Sequence, residues 1–470
     1  MRKKSKTFQL ELNGNLSIGR IIQMVIRLSI PAIMAEITSI IMQYIDAGMV
    51  GSLGASATAS IGLISTTTWL VGGFTISAAT GFSVQVAQLI GAKRSEDARN
   101  VFRQSILVAL VFGIILSVAA VSVSGVLPSW LGGSEEIRVN ASRYFLIFAL
   151  TIPAAQFRQL CGSMLQCSGD MKTPSMLNIL LCVLDVIFNF IFIFPTRAIT
   201  IFGISFTMYG AGLGVTGAAL GTALSEVCVT ALMIYAVCFR SEHLAFKHGG
   251  SWKIHSQCMK AAAKIALPTA FEHGIMCGAY VVSTLIVAPL GTVSVAANSL
   301  AVTAESFCYM PGYGIGSAAT TLVGQSIGAK RKDIARRFAR SAVMLGVIIM
   351  TCTAVIMYFA APALFSILTP SDEVRNLGVQ ILRIEAFAEP LYAASIVCAG
   401  ALRGAGDALV PSILNLVSMW GIRITASIIL VPYIGLYGVW IAMCGELCIR
   451  GILFLVRLLR EKWLDKKIIV

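Results

Sequence analysis

The sequence predicts an all-α polytopic membrane protein in which twelve transmembrane helices form two six-helix parallel repeats. Three observations predict it. Of the 470 residues, 57% are apolar and 12% charged, where a soluble chain carries about 25% charged residues, and the mean hydropathy is +0.83. Apolar runs long enough to cross a bilayer, about 20 residues each, recur from end to end. Finally, the stretch Phe82 to Arg103 returns at Ala319 to Arg340, an offset of 237 residues, with ten of 22 positions identical. The same offset pairs Pro31 with Pro268, Gly54 with Gly291, Gly169 with Gly406, Asp170 with Asp407, Pro174 with Pro411 and Asn178 with Asn415. Half of the chain is a copy of the other half.

Taken in order, the crossing segments fall at 24–47, 60–86, 105–128, 143–166, 175–195, 211–238, 261–286, 297–324, 341–367, 377–401, 411–432 and 435–456. The second and eighth are rich in Gly, Ser and Thr, and each rests on its partner's place in the repeat. Basic residues set the orientation: 30 of the 36 Lys and Arg fall at the two ends and in alternate connections, while the opposite connections are short and nearly uncharged. That excess marks the cytoplasmic side. Both termini are therefore expected in the cytoplasm, the protein lying in a plasma membrane, most simply a bacterial inner membrane. An even number of crossings per copy inserts both with the same polarity, related by an axis along the membrane normal. The expected organisation is an N-terminal lobe over residues 1–238, a cytoplasmic linker over 239–260 and a C-terminal lobe over 261–470. Register holds as far as Asn178 and Asn415; Gly217 and Gly438 then differ by 221, which leaves 16 extra residues in the first copy near Pro195 to Gly210.

Composition also excludes functions. The net charge of +14 is a topology signal in connecting loops, so no nucleic-acid partner is expected. The 12 cysteines are scattered singly in apolar runs without CxxC spacing, and the four histidines do not cluster, so neither a metal nor a redox cofactor is expected. No Walker lysine loop, GxSxG or HExxH occurs, which argues against an enzyme. The basic start is not followed by a small-residue cleavage site, as a signal peptide would require.

An ionisable side chain at mid-membrane costs about 2.5–3.5 kcal/mol on insertion scales and so faces protein or a watery cavity. In the first copy the candidates for cation coupling are Glu36, Gln43 and Asp46 on the first segment, and Asp185 with Asn189 on the fifth. The i, i+4 spacing of the last two sets a carboxylate and an amide oxygen one above the other. Such a pair either holds a proton or a sodium ion, or forms a buried hydrogen-bond network. The second copy is not a chemical duplicate: at the common offset Asp46 corresponds to Ser283, Asp185 to Ile422 and Glu36 to His273. Its candidates are Glu272, Glu305, Glu389 and Tyr309, placed to line a substrate cavity where carboxylates attract organic cations. Pro31, Pro268 and Pro311 interrupt apolar segments and act as conformational hinges or as simple kinks. The repeated Gly-Ala-Lys-Arg turns read as helix ends followed by interfacial helices, their bases against anionic membrane lipid.

These residues resemble the multidrug and toxic compound extrusion (MATE) transporters over essentially the whole chain. The resemblance rests on Pro31 with Ile45-Asp46 and Val50-Gly51-x-Leu53-Gly54, on Val86-Ala87-Gln88-x-Ile90-Gly91-Ala92, and on Gly169-Asp170-x-Lys172-Thr173-Pro174. It extends to the second-copy forms Gln325-x-Ile327-Gly328-Ala329 and Leu402-Arg403-Gly404-Ala405-Gly406-Asp407. It implies two six-helix lobes around a V-shaped cavity, and an antiporter, expected as a monomer, that exports bulky, often cationic small organic molecules in exchange for H+ or Na+. The family's first-helix aspartate falls on Asp46. Its fifth-helix Asn, three residues, then Asp appears here exchanged, as Asp185 then Asn189. A seventh-helix glutamate of some members would stand near Met276, one turn after Glu272, and a tenth-helix acid of others falls on Tyr392, one turn from Glu389. Proton coupling through the first lobe is the expected mode. The alternatives are a flippase for lipid-linked precursors, which would need arginines or lysines facing the cavity, and a membrane sensor or assembly protein without transport.

Overall fold

The computed structural model describes residues 16–201, 204–246 and 252–466. Helices dominate: α1 (Ile18–Gly51), α2 (Ala55–Gly91), α3 (Ser95–Val123), the single turn α4 (Leu127–Trp130), α5 (Glu135–Cys167), α6 (Lys172–Ile193) and α7 (Gly214–Tyr235) come from the first copy. The second supplies α8 (Ser256–Val287), α9 (Thr292–Gly328), α10 (Lys332–Leu368), α11 (Asp372–Glu385), α12 (Glu389–Ala405), α13 (Leu409–Leu416), α14 (Thr425–Ile434) and α15 (Leu436–Leu459). Among the described residues, ten helical spans are long and apolar enough to cross a membrane. The fold is that of an all-α polytopic membrane protein.

Two elements depart from expectation. The extra residues of the first copy form a β-hairpin, β1 (Pro195–Ile201) antiparallel to β2 (Ile204–Ala211), with Pro195 opposite Ala211 and Ile201 opposite Ile204. Both strands are rich in the β-branched and aromatic residues that suit a pleated ribbon. The tenth segment, expected as one helix over 377–401, is two, α11 and α12, parted at Ala386–Ala388. Pro390 explains the break: it has no N–H for the Ala386 carbonyl and its ring would clash there, yet it fits the first turn of a new helix. Pro31, Pro268 and Pro311, by contrast, lie inside α1, α8 and α9, which run through them.

The repeat is visible in the backbone. Starts and ends of α2 and α9 differ by the same 237 residues. So do the left-handed residues that close helices, Lys93 (φ 61°) with Lys330 (φ 58°) and Gly169 (φ 92°) with Gly406 (φ 93°). α1 packs on α9 and α2 on α8, the two faces of one pseudo-twofold arrangement, and α2 meets α9 on the axis. There the chains nearly touch: a Cβ on Gly91 would sit 1.9 Å from the Gln325 carbonyl oxygen, and one on Gly328 would sit 1.8 Å from that of Gln88. Only glycine permits such a crossing. The repeated motif is thus a joint between copies as well as an exit from the membrane.

This central position explains the weak apolar signal of the second and eighth segments. Gly81 to Leu89 of α2 are buried without interruption, as are Thr321 to Ser326 of α9; a helix enclosed by protein needs small residues for close packing rather than lipid-facing bulk. α3 is the opposite case, its most apolar window mostly facing outward.

At the end of the bundle that holds Leu16, residues 461–466 fold back on α10. Glu461 pairs with Arg336 and Arg340, Lys332 with Asp465, and Arg457 and Lys466 with Asp407, while Trp463 is buried. The second copy's bases are held by carboxylates here, a tie that the reading in terms of lipid did not foresee.

Candidate functional site

Among the first-copy candidates, three converge. Asp46 on α1 and Asp185 on α6 are bridged by one side chain: the Asn189 amide donates to both, 2.9 Å to Asp46 Oδ1 and 3.0 Å to Asp185 Oδ2. Helical spacing brings Asn189 over Asp185, one turn on. The Ser225 hydroxyl of α7 donates to Asp185 Oδ1 at 3.3 Å. Asp185 and Asn189 are 1% exposed, whereas Asp46 is half-buried and opens the cluster to one side. Gly221 of α7 makes room for the amide, since a Cβ there would lie 2.1 Å from Asn189 Oδ1. That oxygen has no hydrogen-bond partner among the described residues. Gln43 is exposed and Glu36 half-buried; neither joins the cluster.

Beside the cluster lies a cavity of ≈ 250 Å3 between α2, α5 and α7. Its wall is chiefly apolar, with Val71, Ile76 and Phe148, and Tyr144, Thr222 and Glu226 supply polar points. Arg158 donates to Glu226 at 2.5 Å and its other arm reaches Asn178 at 3.4 Å. None of Tyr144, Arg158, Ser225 or Glu226 was singled out from the sequence. The rule applied to Asp46 would have found both Glu226 and Arg158, ionisable residues inside the segments 211–238 and 143–166.

The second copy's acids sit in different surroundings. Glu272 of α8 receives the Arg403 guanidinium at 3.0 and 3.3 Å, the Ser412 hydroxyl at 2.7 Å and the Asn415 amide at 2.5 Å. Its charge is balanced and every oxygen is occupied. Glu446 of α15, fully buried, takes Arg423 through Nε at 3.1 Å and Nη2 at 2.8 Å, with Arg450 Nε 3.1 Å from its other oxygen. Arg423 lies in a π-helical stretch, Val417–Ile424, a distortion that often marks functional sites. Tyr309 stands among aromatic rings, 5.6 Å from Tyr392 and 6.0 Å from Tyr313. Glu305 is 6% exposed and Glu389 has no exposed surface. Arg383, a sequence neighbour of Glu385, turns away to the Tyr358 carbonyl.

The two copies are joined by a pair of matching hydrogen bonds. Gln88 Nε2 donates to the Gly404 carbonyl at 3.1 Å and Gln325 Nε2 to that of Cys167 at 2.9 Å. Donors and acceptors are each 237 residues apart. Among the described residues no group of three or more His, Cys, Asp or Glu is placed to hold a metal ion.

Comparison with known proteins agrees with this architecture. The MatE family model matches residues 31–191 and again 268–429, so the match itself repeats. A probable multidrug resistance protein NorM of Thermotoga maritima is 26% identical over 444 residues, spanning 93% of this chain and 92% of that one. Its namesake in Neisseria meningitidis is 24% identical and covers 92% of each chain. Among solved structures, an outward-facing multidrug resistance transporter of the MOP superfamily superposes with a TM-score of 0.89 at 21% identity, over 99% of this chain and 100% of the other. A MOP superfamily transporter of Pyrococcus furiosus gives 0.87 at 20% identity, over 95% and 97%.

Proposed function

Because the chain belongs to the MatE family, we propose that it is a secondary antiporter that exports bulky organic compounds, cations among them, in exchange for H+ or Na+. In this reading twelve crossings form two lobes, residues 1–238 and 261–470, joined by a cytoplasmic linker and facing each other across a V-shaped cavity. Both ends are cytoplasmic. The Gln88 and Gln325 bonds then close the cytoplasmic side and the cavity opens outward.

One observation carries the coupling assignment. Two carboxylates from different helices, Asp46 and Asp185, meet with a single amide between them, and the donors to them are Asn189 and Ser225. Like charges at such a distance cannot both persist in a medium of low dielectric, so the pair holds one proton or one cation between them. The amide favours the proton: it turns its NH2 to both acids, whereas a sodium ion would draw the oxygen.

The cycle follows from this lever. Entry of the ion from outside neutralises the pair, α1 and α6 close on each other, and the neighbouring cavity between α2, α5 and α7 loses volume and releases its cargo. An apolar wall with a few polar points selects by shape and amphipathy more than by one hydrogen-bond pattern. Arg158, the one base that lines this cavity among the described residues, is committed to Glu226, which argues against a clamp for a pyrophosphate-linked lipid there. The test is Asp46→Asn in proteoliposomes under imposed proton and sodium gradients, with ethidium as the reporter cargo. Loss of gradient-driven efflux with normal insertion is expected; unchanged efflux would end the assignment.

A further inference from the structure

The connection between the two copies is anchored where it is described. Phe246 lies on the Phe102 ring of α3 with centroids 5.5 Å apart, Trp252 stands 5.9 Å from Phe246, and the Arg103 guanidinium covers the same ring at 5.2 Å. Two glutamines of the first copy hold the start of α8. The His255 N–H donates to Gln104 Oε1 at 2.9 Å, and Gln85 Nε2 donates to the Cys258 carbonyl at 3.2 Å. Cys238, after α7, is buried in the core cluster against which Cys258 and Met259 of α8 also pack. The end of α7 and the start of α8 are therefore fixed side by side on the first copy.

Both fixed ends carry an outward stripe that finishes in positive charge. On α7 and just after it, Leu220, Leu224, Val227, Tyr235 and Phe239 are exposed, at spacings that keep to one side of a helix. The π turn Ala236–Arg240 follows; its i→i+5 bonding brings the Arg240 guanidinium over the Tyr235 ring at 6.0 Å. On α8 the exposed residues Lys260, Lys264, Leu267 and Phe271 share one face at intervals of four, three and four. Apolar side chains that run into aromatic rings and then into bases mark the boundary between hydrocarbon and headgroups. Trp252, 48% exposed, stands at the same boundary.

The absence of acids sets this place apart. In the second copy Lys332, Arg336, Arg340, Arg457 and Lys466 each face a carboxylate of that copy. Arg240, Lys260 and Lys264 meet no carboxylate among the described residues. At the offset of 237, Lys260 and Lys264 correspond to Gln23 and Arg27, so the doubled lysine belongs to α8 alone. Fixed bases at a membrane boundary attract the negative headgroup layer, and the chain itself supplies no competing charge here.

We infer that the end of α7, the linker and the start of α8 form a docking surface for anionic phospholipid, without a counterpart on the second copy. The lipid headgroups supply the counter-charge that Glu461, Asp465 and Asp407 supply in the other copy. This docking requires no transport and stands apart from the antiport reading.

The test is native mass spectrometry of the full-length protein released from detergent, titrated with phosphatidylglycerol and separately with phosphatidylcholine of the same acyl chains. The wild type should hold phosphatidylglycerol more tightly, and raising the ammonium acetate concentration, which screens exposed charges, should erase that preference. Each base near an anionic surface adds about fivefold in affinity, so Arg240→Gln/Lys260→Gln/Lys264→Gln should weaken phosphatidylglycerol about 100-fold and leave phosphatidylcholine unchanged. Lys260→Arg/Lys264→Arg keeps the charge and should bind as the wild type does, and Lys332→Gln/Arg336→Gln/Arg340→Gln should also leave binding unaltered. Equal losses in the two triple variants would reduce the effect to diffuse net charge and overturn the inference. A wild type without the preference, or with one that survives salt, would overturn it with no variant needed. Displacement by soluble glycerol phosphate would also overturn it, by showing a pocket for a small anion in place of a surface for membrane lipid.

Discussion

Asn178 and Asn415 occupy the same place in the two copies, and around each stands an arginine and a glutamate. In the first copy the group is Arg158, Glu226 and Asn178; in the second it is Arg403, Glu272 and Asn415. The asparagine has stayed while the acid has moved, from α7 in one copy to α8 in the other. Elsewhere the copies differ in how buried acids are partnered. The first copy sets Asp46 and Asp185 about one shared amide, and the second surrounds each of Glu272 and Glu446 with arginine while leaving Glu385 and Glu389 without a donor among the described residues. A duplicated backbone therefore fixes where polar groups can be buried, and the local set of partners decides whether a buried acid is free to change charge or is held in one state.

The sharpest way to break this comparison is to remove the held acid. Glu446→Gln leaves two buried guanidiniums without their counter-charge, and breaking such a pair costs about 3–5 kcal/mol; thermal unfolding in detergent should show a large loss. Glu226→Gln should cost about 1.5–3 kcal/mol, because Arg158 and Glu226 keep 22% and 11% of their side-chain surface exposed. Equal losses would mean that the copies do not differ in this respect. The complementary test is Asp185→Asn, expected to lower gradient-driven flux about 100-fold, or roughly 2.7 kcal/mol, with little change in melting.

A smaller effect is expected where the copies agree. Gln88→Ala and Gln325→Ala each delete one bond between copies, about 1 kcal/mol, and should shift the balance of conformations to the same extent. Distances between spin labels on α2 and α9 would report it, and a difference between the two variants would break the symmetry. The smallest effect belongs to the terminal tie. The Lys332 ammonium beside Asp465 holds its carboxyl below the usual range, so the tie is present at neutral pH and lost on acidification. With the side chains 55% and 75% exposed, solvent screening leaves Asp465→Asn without a measurable change in melting.

Much of this was legible in the sequence, for physical reasons. Hydropathy and the 237-residue offset placed the helices, since both are properties of long runs. Asp46, Asp185 and Asn189 were found because an acid in an apolar run needs a reason. What escaped were partnerships across helices. Nothing near Glu272 in the chain announces Arg403, 131 residues away, and nothing near Arg423 announces Glu446. The break at Ala386–Ala388 was signalled by Pro390, yet Pro31 and Pro268 sit in unbroken helices, so proline alone does not decide it.

The crossing at Gly91 and Gly328 limits how the copies can drift apart. Each glycine faces a peptide carbonyl of the opposite copy, which no side-chain substitution there can trim away. A bulkier residue in one copy has no remedy within that copy, because relief demands a new path for the other. The acids could specialise separately after duplication; this joint could not, and a library of single substitutions should find both positions intolerant in equal measure.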